Sequence, residues 1–128
     1  MKKKSIMNSS GFTLIELMVI TSIIGLLMAI AIPNYIAYRN NAYCSHAEND
    51  AYIVSRAISE YFSVSSRTSL PTTTDIKVNT TNPYYITGNP NTTINISVKD
   101  MSGRCPDAYQ RASENWNHLT DYFSITIE

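Results

Sequence analysis

The chain has 128 residues with ten basic and ten acidic side chains, and only 16% of its residues are charged, which suits one modest domain plus an anchor. That balance leaves no basic footprint for nucleic acid, and no specific nucleic-acid partner is evident. There is no GxSxG, no phosphate-cradling glycine loop, no HExxH and no Cys/His dyad with a local orienting acid, so no catalytic residue, cofactor or metal site is expected and the chain reads as a non-enzyme.

The chain opens on a short leader carrying Lys2, Lys3 and Lys4, followed by Gly11 and an apolar run. Residues 12–32 are long enough for a helix of about 31 Å, the hydrocarbon thickness of a bilayer, which predicts a membrane span. A cleaved secretory signal would need an apolar core of only about 7–15 residues ending at a small-residue site, and here the run is longer and continues into further helical sequence. With the leader lysines held inside by the positive-inside rule, everything after Pro33 is exported. Removing the leader leaves seven basic against ten acidic side chains.

Glu16 is the only ionisable side chain between Phe12 and Ile32. A carboxylate facing lipid costs free energy, so it either snorkels to the interface or has a partner. The segment Gly11-Phe12-Thr13-Leu14-Ile15-Glu16 behind a short basic leader resembles the type IV prepilin signature, and the resemblance extends to about Tyr43. It implies that a prepilin peptidase cuts between Gly11 and Phe12 on the cytoplasmic face and leaves N-methyl-Phe12 at the mature terminus. It also implies that Glu16 neutralises a terminal amine during assembly. The physical basis is separable from the resemblance: an α-amino cation at Phe12 sits on the positive end of a helix dipole and needs an anion in an apolar setting, and mismatched stagger between subunits would strand two charges.

After Pro33 the sequence remains helical, with apolar residues at Tyr43, Ala47, Ala51, Val54, Ile58 and Tyr61 or Phe62 and a polar face carrying Asn49, Asp50, Ser55, Arg56, Ser59 and Glu60. The expected helix runs from Thr13 to about Ser63, roughly 75 Å. Gly25 and Pro33 interrupt it. The resemblance implies that residues 25–33 give up helix in the assembled filament; the plain alternative is a bend. Tyr35, Tyr38, Tyr43, Tyr52, Tyr61 and Phe62 follow Phe12, an arrangement similar to aromatic-bearing pilins for which conduction has been proposed, while the plain reading is an interfacial belt at Tyr35 and Tyr38 with the others packed.

The polar stretch after Ser63 predicts a loop, followed by short strands at residues 76–79, 84–87, 92–99 and 122–127, separated by turn residues such as Asn82-Pro83 and Gly88-Asn89-Pro90. Residues 103–119 read as a loop with one or two helical turns. Cys44 and Cys105, an even pair in an exported region, predict a disulfide; the alternative set of Cys44, His46, Cys105 and His118 matches no zinc spacing.

The predicted fold is α+β, a long helical spine against a small antiparallel sheet. Its parts are a cleaved leader (1–11), a transmembrane and filament-core helix (12–33), an amphipathic helical half (34–63) and a C-terminal sheet region (64–128). The function implied is a structural pilin that self-assembles into a helical homopolymer for surface adhesion or motility. The alternatives are a pseudopilin of type II secretion or DNA uptake and, lower, a conductive pilus subunit. The implied partners are the inner membrane before assembly, the peptidase and the pilus assembly machinery, and the implied destination is an extracellular filament.

Overall fold

The computed structural model describes residues 11–128; the rest of the leader, with its lysines, lies outside them. The element order is α1 (Leu14–Phe62), β1 (Tyr84–Asn89), β2 (Thr93–Lys99), α2 (Asp107–Arg111), β3 (Trp116–Asn117) and β4 (Tyr122–Ile127). The chain forms two compact units, one ending at Ile36 and one spanning Ala37–Glu128.

In the first unit α1 begins at a reciprocal cap. The Thr13 N–H and hydroxyl donate to Glu16 Oε2 at 2.9 and 2.7 Å, and the Glu16 N–H donates back to Thr13 Oγ1 at 3.3 Å. The pattern Thr-x-x-Glu satisfies backbone donors that the first helical turn otherwise leaves open. Farther along, Thr21 donates to the Leu17 and Met18 carbonyls and Ser22 to the Met18 carbonyl. Hydroxyls folded back onto the helix in this way add no unsatisfied polarity to an apolar stretch. Among the described residues, the large apolar side chains of this unit are all exposed, from Phe12 at 83% to Ile20 at 44%.

Gly25 and Pro33 both lie inside α1, which is assigned as helix without interruption. The loss of helix over residues 25–33 that the resemblance implies concerns the assembled filament; in the single chain both residues are helical. Proline removes one donor from the ladder, but the helix continues with the neighbouring bonds.

In the second unit, α1 contributes Cys44, Ala47, Ala51, Val54 and Ile58 to a buried cluster with Ile94, Ile96, Val98, Trp116 and Phe123. β2 alternates buried with less buried residues along its length, the period-2 signature of one covered face. The strand order is β1-β2-β4-β3, antiparallel throughout, with Ile96 opposite Ile86 on one side and Ile125 on the other. On the opposite face Ser97 and Ser124 share a hydrogen bond, and Thr126 donates to Asn95. α1 ends where Ser63 Oγ takes up the Glu60 carbonyl at 2.7 Å and Arg67 reaches the Tyr61 carbonyl.

Three features depart from expectation. Residues 76–79 form no strand: the Asp75 carboxylate accepts from the Thr72 N–H and hydroxyl, winding a turn, and the alternating Ile76 and Val78 pack on the core cluster without a ladder partner. Those donors hold the Asp75 carboxyl below its ordinary pKa. Asp50, read from sequence as part of the polar face, is buried at 4% exposure and accepts from the Thr81 N–H, the Asn82 N–H and Asn82 Nδ2 at 2.9–3.2 Å. Residues 103–119 contain the short strand β3 besides the one-turn helix α2.

Gly88 sits at φ 115° near the end of β1, next to the β1–β2 turn, where a Cβ would run into the Thr93 carbonyl oxygen. A Gly88→Ala variant is expected to lose roughly 1–3 kcal/mol of stability, seen as a lower denaturation midpoint with the fold retained. An unchanged midpoint would contradict the strain at this turn.

Candidate assembly site at the N-terminus

Four residues singled out by the sequence lie together at the start of α1. Gly11 and Phe12 are exposed ahead of the helix with no regular structure, and among the described residues nothing lies within 4 Å of where a Gly11 Cβ would be. A bond in that setting is open to approach by another protein. Thr13 and Glu16 follow as the cap. The Glu16 carboxylate is thereby aimed back toward the chain segment that carries Phe12, since the Thr13 amide it binds is the next one along.

A shallow hollow of about 290 Å³ lies over this turn, lined by Phe12, Ile15, Glu16, Val19 and Ile20. Glu16 is its single charged group among apolar walls. An α-amino cation presented here would meet a carboxylate with one oxygen engaged by Thr13 and the other free of those bonds, in surroundings that penalise an unpaired charge. The sequence pattern Thr-x-x-Glu before an apolar run was the available signal for the cap, and the expectation of a charge partner did not include it.

The remaining singled-out residues lie elsewhere. Gly25 has nothing within 4 Å of a built Cβ. Cys44 and Cys105 are joined, with Cα atoms 4.9 Å apart, so both sulfurs are used and neither is available to a metal. His46 is exposed, its ring 6.4 Å from that of Tyr43, and His118 is partly buried. The C-terminal excursion that carries Cys105 is clipped to α1 a second time, where Trp116 Nε1 donates to Glu48 Oε1 at 2.9 Å.

Of the helix aromatics, Tyr61 stands edge-on to Phe62 at 5.3 Å and Tyr52 is 6.4 Å from Phe123, while Tyr35 and Tyr38 are exposed at 67% and 75%. Among the described residues, no ring pair joins Phe12, Tyr35 or Tyr38 to another aromatic. Tyr43 is held below its ordinary pKa first by a hydrogen bond with Arg39 and then by the charge of Arg104, whose guanidinium lies 5.3 Å over its ring.

Residues 6–32 match the family model described as the prokaryotic N-terminal methylation motif. The N-terminus therefore carries a prokaryotic methylation motif. The matched span takes in Gly11, Phe12, Glu16 and Gly25 and ends one residue before Pro33. The chain is similar to the type IV major pilin protein PilA of Myxococcus xanthus, 44% identical over 57 residues, which is 44% of this chain and 26% of that protein. It is also similar to the fimbrial protein EcpC of Eikenella corrodens, 51% identical over 53 residues, 41% of this chain and 35% of that one. The likeness thus spans about a quarter to a third of the length of these relatives. No solved structure matches the chain.

Most of the large apolar residues exposed along the first unit lie inside the matched motif, and the single carboxylate, Glu16, lies one turn beyond Phe12.

Proposed function

We propose that this chain is the structural subunit of a type IV pilus filament. The leader would be cut by a prepilin peptidase between Gly11 and Phe12, and Phe12 would be N-methylated. The subunit would wait in the inner membrane and then pass into a surface filament. The observation that carries this reading is the N-terminal turn itself: an accessible Gly11-Phe12 bond, a carboxylate at Glu16 one turn beyond it, and a first stretch of α1, up to Ile36, whose apolar side chains are exposed on every side.

Such a helix must be covered by lipid or by other helices. Exchange of one for the other changes little free energy because both are apolar, so specificity falls to the one charge, Glu16, against the terminal amine of a neighbouring subunit. A head-to-tail contact of this kind does not close and generates an open helical polymer. Residues 25–33 are the stretch proposed to give up helix in that polymer, since glycine and proline make it the weakest part of α1. Adhesion or motility is the role proposed for the filament. The chain is proposed to act as a polymer building block, with no catalysis of its own.

Deletion of the gene tests the function at the level of the cell. Surface filaments counted by electron microscopy are expected to disappear and to return with the intact gene in trans. A full complement of filaments in the deletion strain would overturn the reading as a principal subunit.

A further inference from the structure

The sheet has two edges of unequal length, β3 with two residues and β1 with six. The Lys99 N–H donates to the Pro83 carbonyl at 3.0 Å, which makes these two a hydrogen-bonded pair. The antiparallel alternation then turns the backbone groups of Tyr85 and Thr87 toward β2 and those of Tyr84 and Ile86 outward. Among the described residues, these outward N–H and C=O groups have no hydrogen-bond partner.

Open edges in natural sheets are normally blunted by a lysine, a proline, a bulge or a covering loop. β1 reads Tyr84-Tyr85-Ile86-Thr87-Gly88-Asn89, with no charge and no proline. The segment at Leu70 and Pro71 does not pair with it; a groove of about 390 Å³ lies between them, with Tyr84 and Ile86 on its other wall.

We propose that the β1 edge pairs with the β1 edge of a second copy of this chain, antiparallel about a two-fold axis at Ile86. A row of alternating backbone donors and acceptors is answered by another extended strand with a free edge. Within this chain β2 and β4 are paired on both sides and β3 is too short, so β1 is the described strand with a matching length of open edge. Self-pairing brings no like charges together. At this register Tyr84 of one copy faces Gly88 of the other, an aromatic laid over the gap a glycine leaves, and Tyr85 faces Thr87 on the outer face. The contact is isologous and closes at two copies. It stands on the sheet geometry alone and is separate from the helix-driven polymer.

The test is residue-resolved amide hydrogen exchange on the full-length chain in detergent at low and high protein concentration. The Tyr85 and Thr87 amides are expected to exchange slowly at both, because β2 holds them. The Ile86 amide is expected to exchange fast at low concentration and to slow roughly tenfold or more at high concentration. Thr87→Lys, whose exposed side chain would set two cations beside the axis, is expected to abolish that slowing and leave Tyr85 protected. Three results would overturn the pairing: fast Ile86 exchange at every concentration, slow exchange already at the lowest, or slowing that survives in Thr87→Lys.

Discussion

Replacing Glu16 with valine is expected to abolish filament formation while processed subunits accumulate in the inner membrane. Valine is easier to place in lipid than a carboxylate, so anchoring is unharmed or improved. What the variant loses is the acceptor of the Thr13 N–H and hydroxyl and the anion facing an incoming terminal amine. The cation is then left unpaired on a helix end that is already positive. Glu16→Gln separates the two losses. Glutamine still completes a capping box, so a capping role alone would let it assemble; registration by charge requires it to fail nearly as badly as valine. Filament yield by shearing and electron microscopy, with membrane fractions blotted for the processed chain, reads both. Wild-type yield from the valine strain would remove the charge-registration role and leave the membrane span untouched.

The second large effect is on the unit spanning Ala37–Glu128. Cys44 and Cys105 are 61 residues apart in sequence, and closing a loop of that length is worth about 4 kcal/mol in the chain-entropy model. A small domain has a total stability of roughly 5–15 kcal/mol, so a double Cys→Ser variant loses a large fraction of it. The denaturation midpoint of the full-length chain in detergent, followed by the near-ultraviolet signal of Trp116, is expected to fall by roughly 15–30 °C. Reductant should reproduce the loss in the parent and do nothing to the variant. An unchanged midpoint would mean that the bridge merely decorates contacts such as Trp116 to Glu48 that hold the excursion already.

These two effects fall on features the sequence displays openly. An apolar run of bilayer length with one carboxylate is visible at a glance, and so is an even pair of cysteines in a region the sequence reads as exported. The stripe Ala47, Ala51, Val54 and Ile58 was equally legible, because spacings of three and four are a local property of one helix. Asp50 was misplaced because a count of apolar residues cannot foresee that donors at Thr81 and Asn82, more than thirty residues away, will bring a carboxylate inside. Ile76 and Val78 alternate as a strand would, yet no neighbouring strand is there to pair with them. Strand status requires a ladder, which no single segment contains. β3 has only two residues, too few to show any period, and its anchor to Glu48 spans 68 positions. At the N-terminus the Thr13–Glu16 cap is legible as Thr-x-x-Glu, so Glu16 serves the helix start as well as carrying the lone charge.

The central claim, that this chain becomes a filament subunit by cutting between Gly11 and Phe12, is tested most directly by intact mass spectrometry of subunits from purified surface filaments. The account predicts residues 12–128 with one added methyl group on Phe12 and the Cys44–Cys105 bond closed. Filaments in which the chain is absent, or in which it retains residues 1–11, would contradict it.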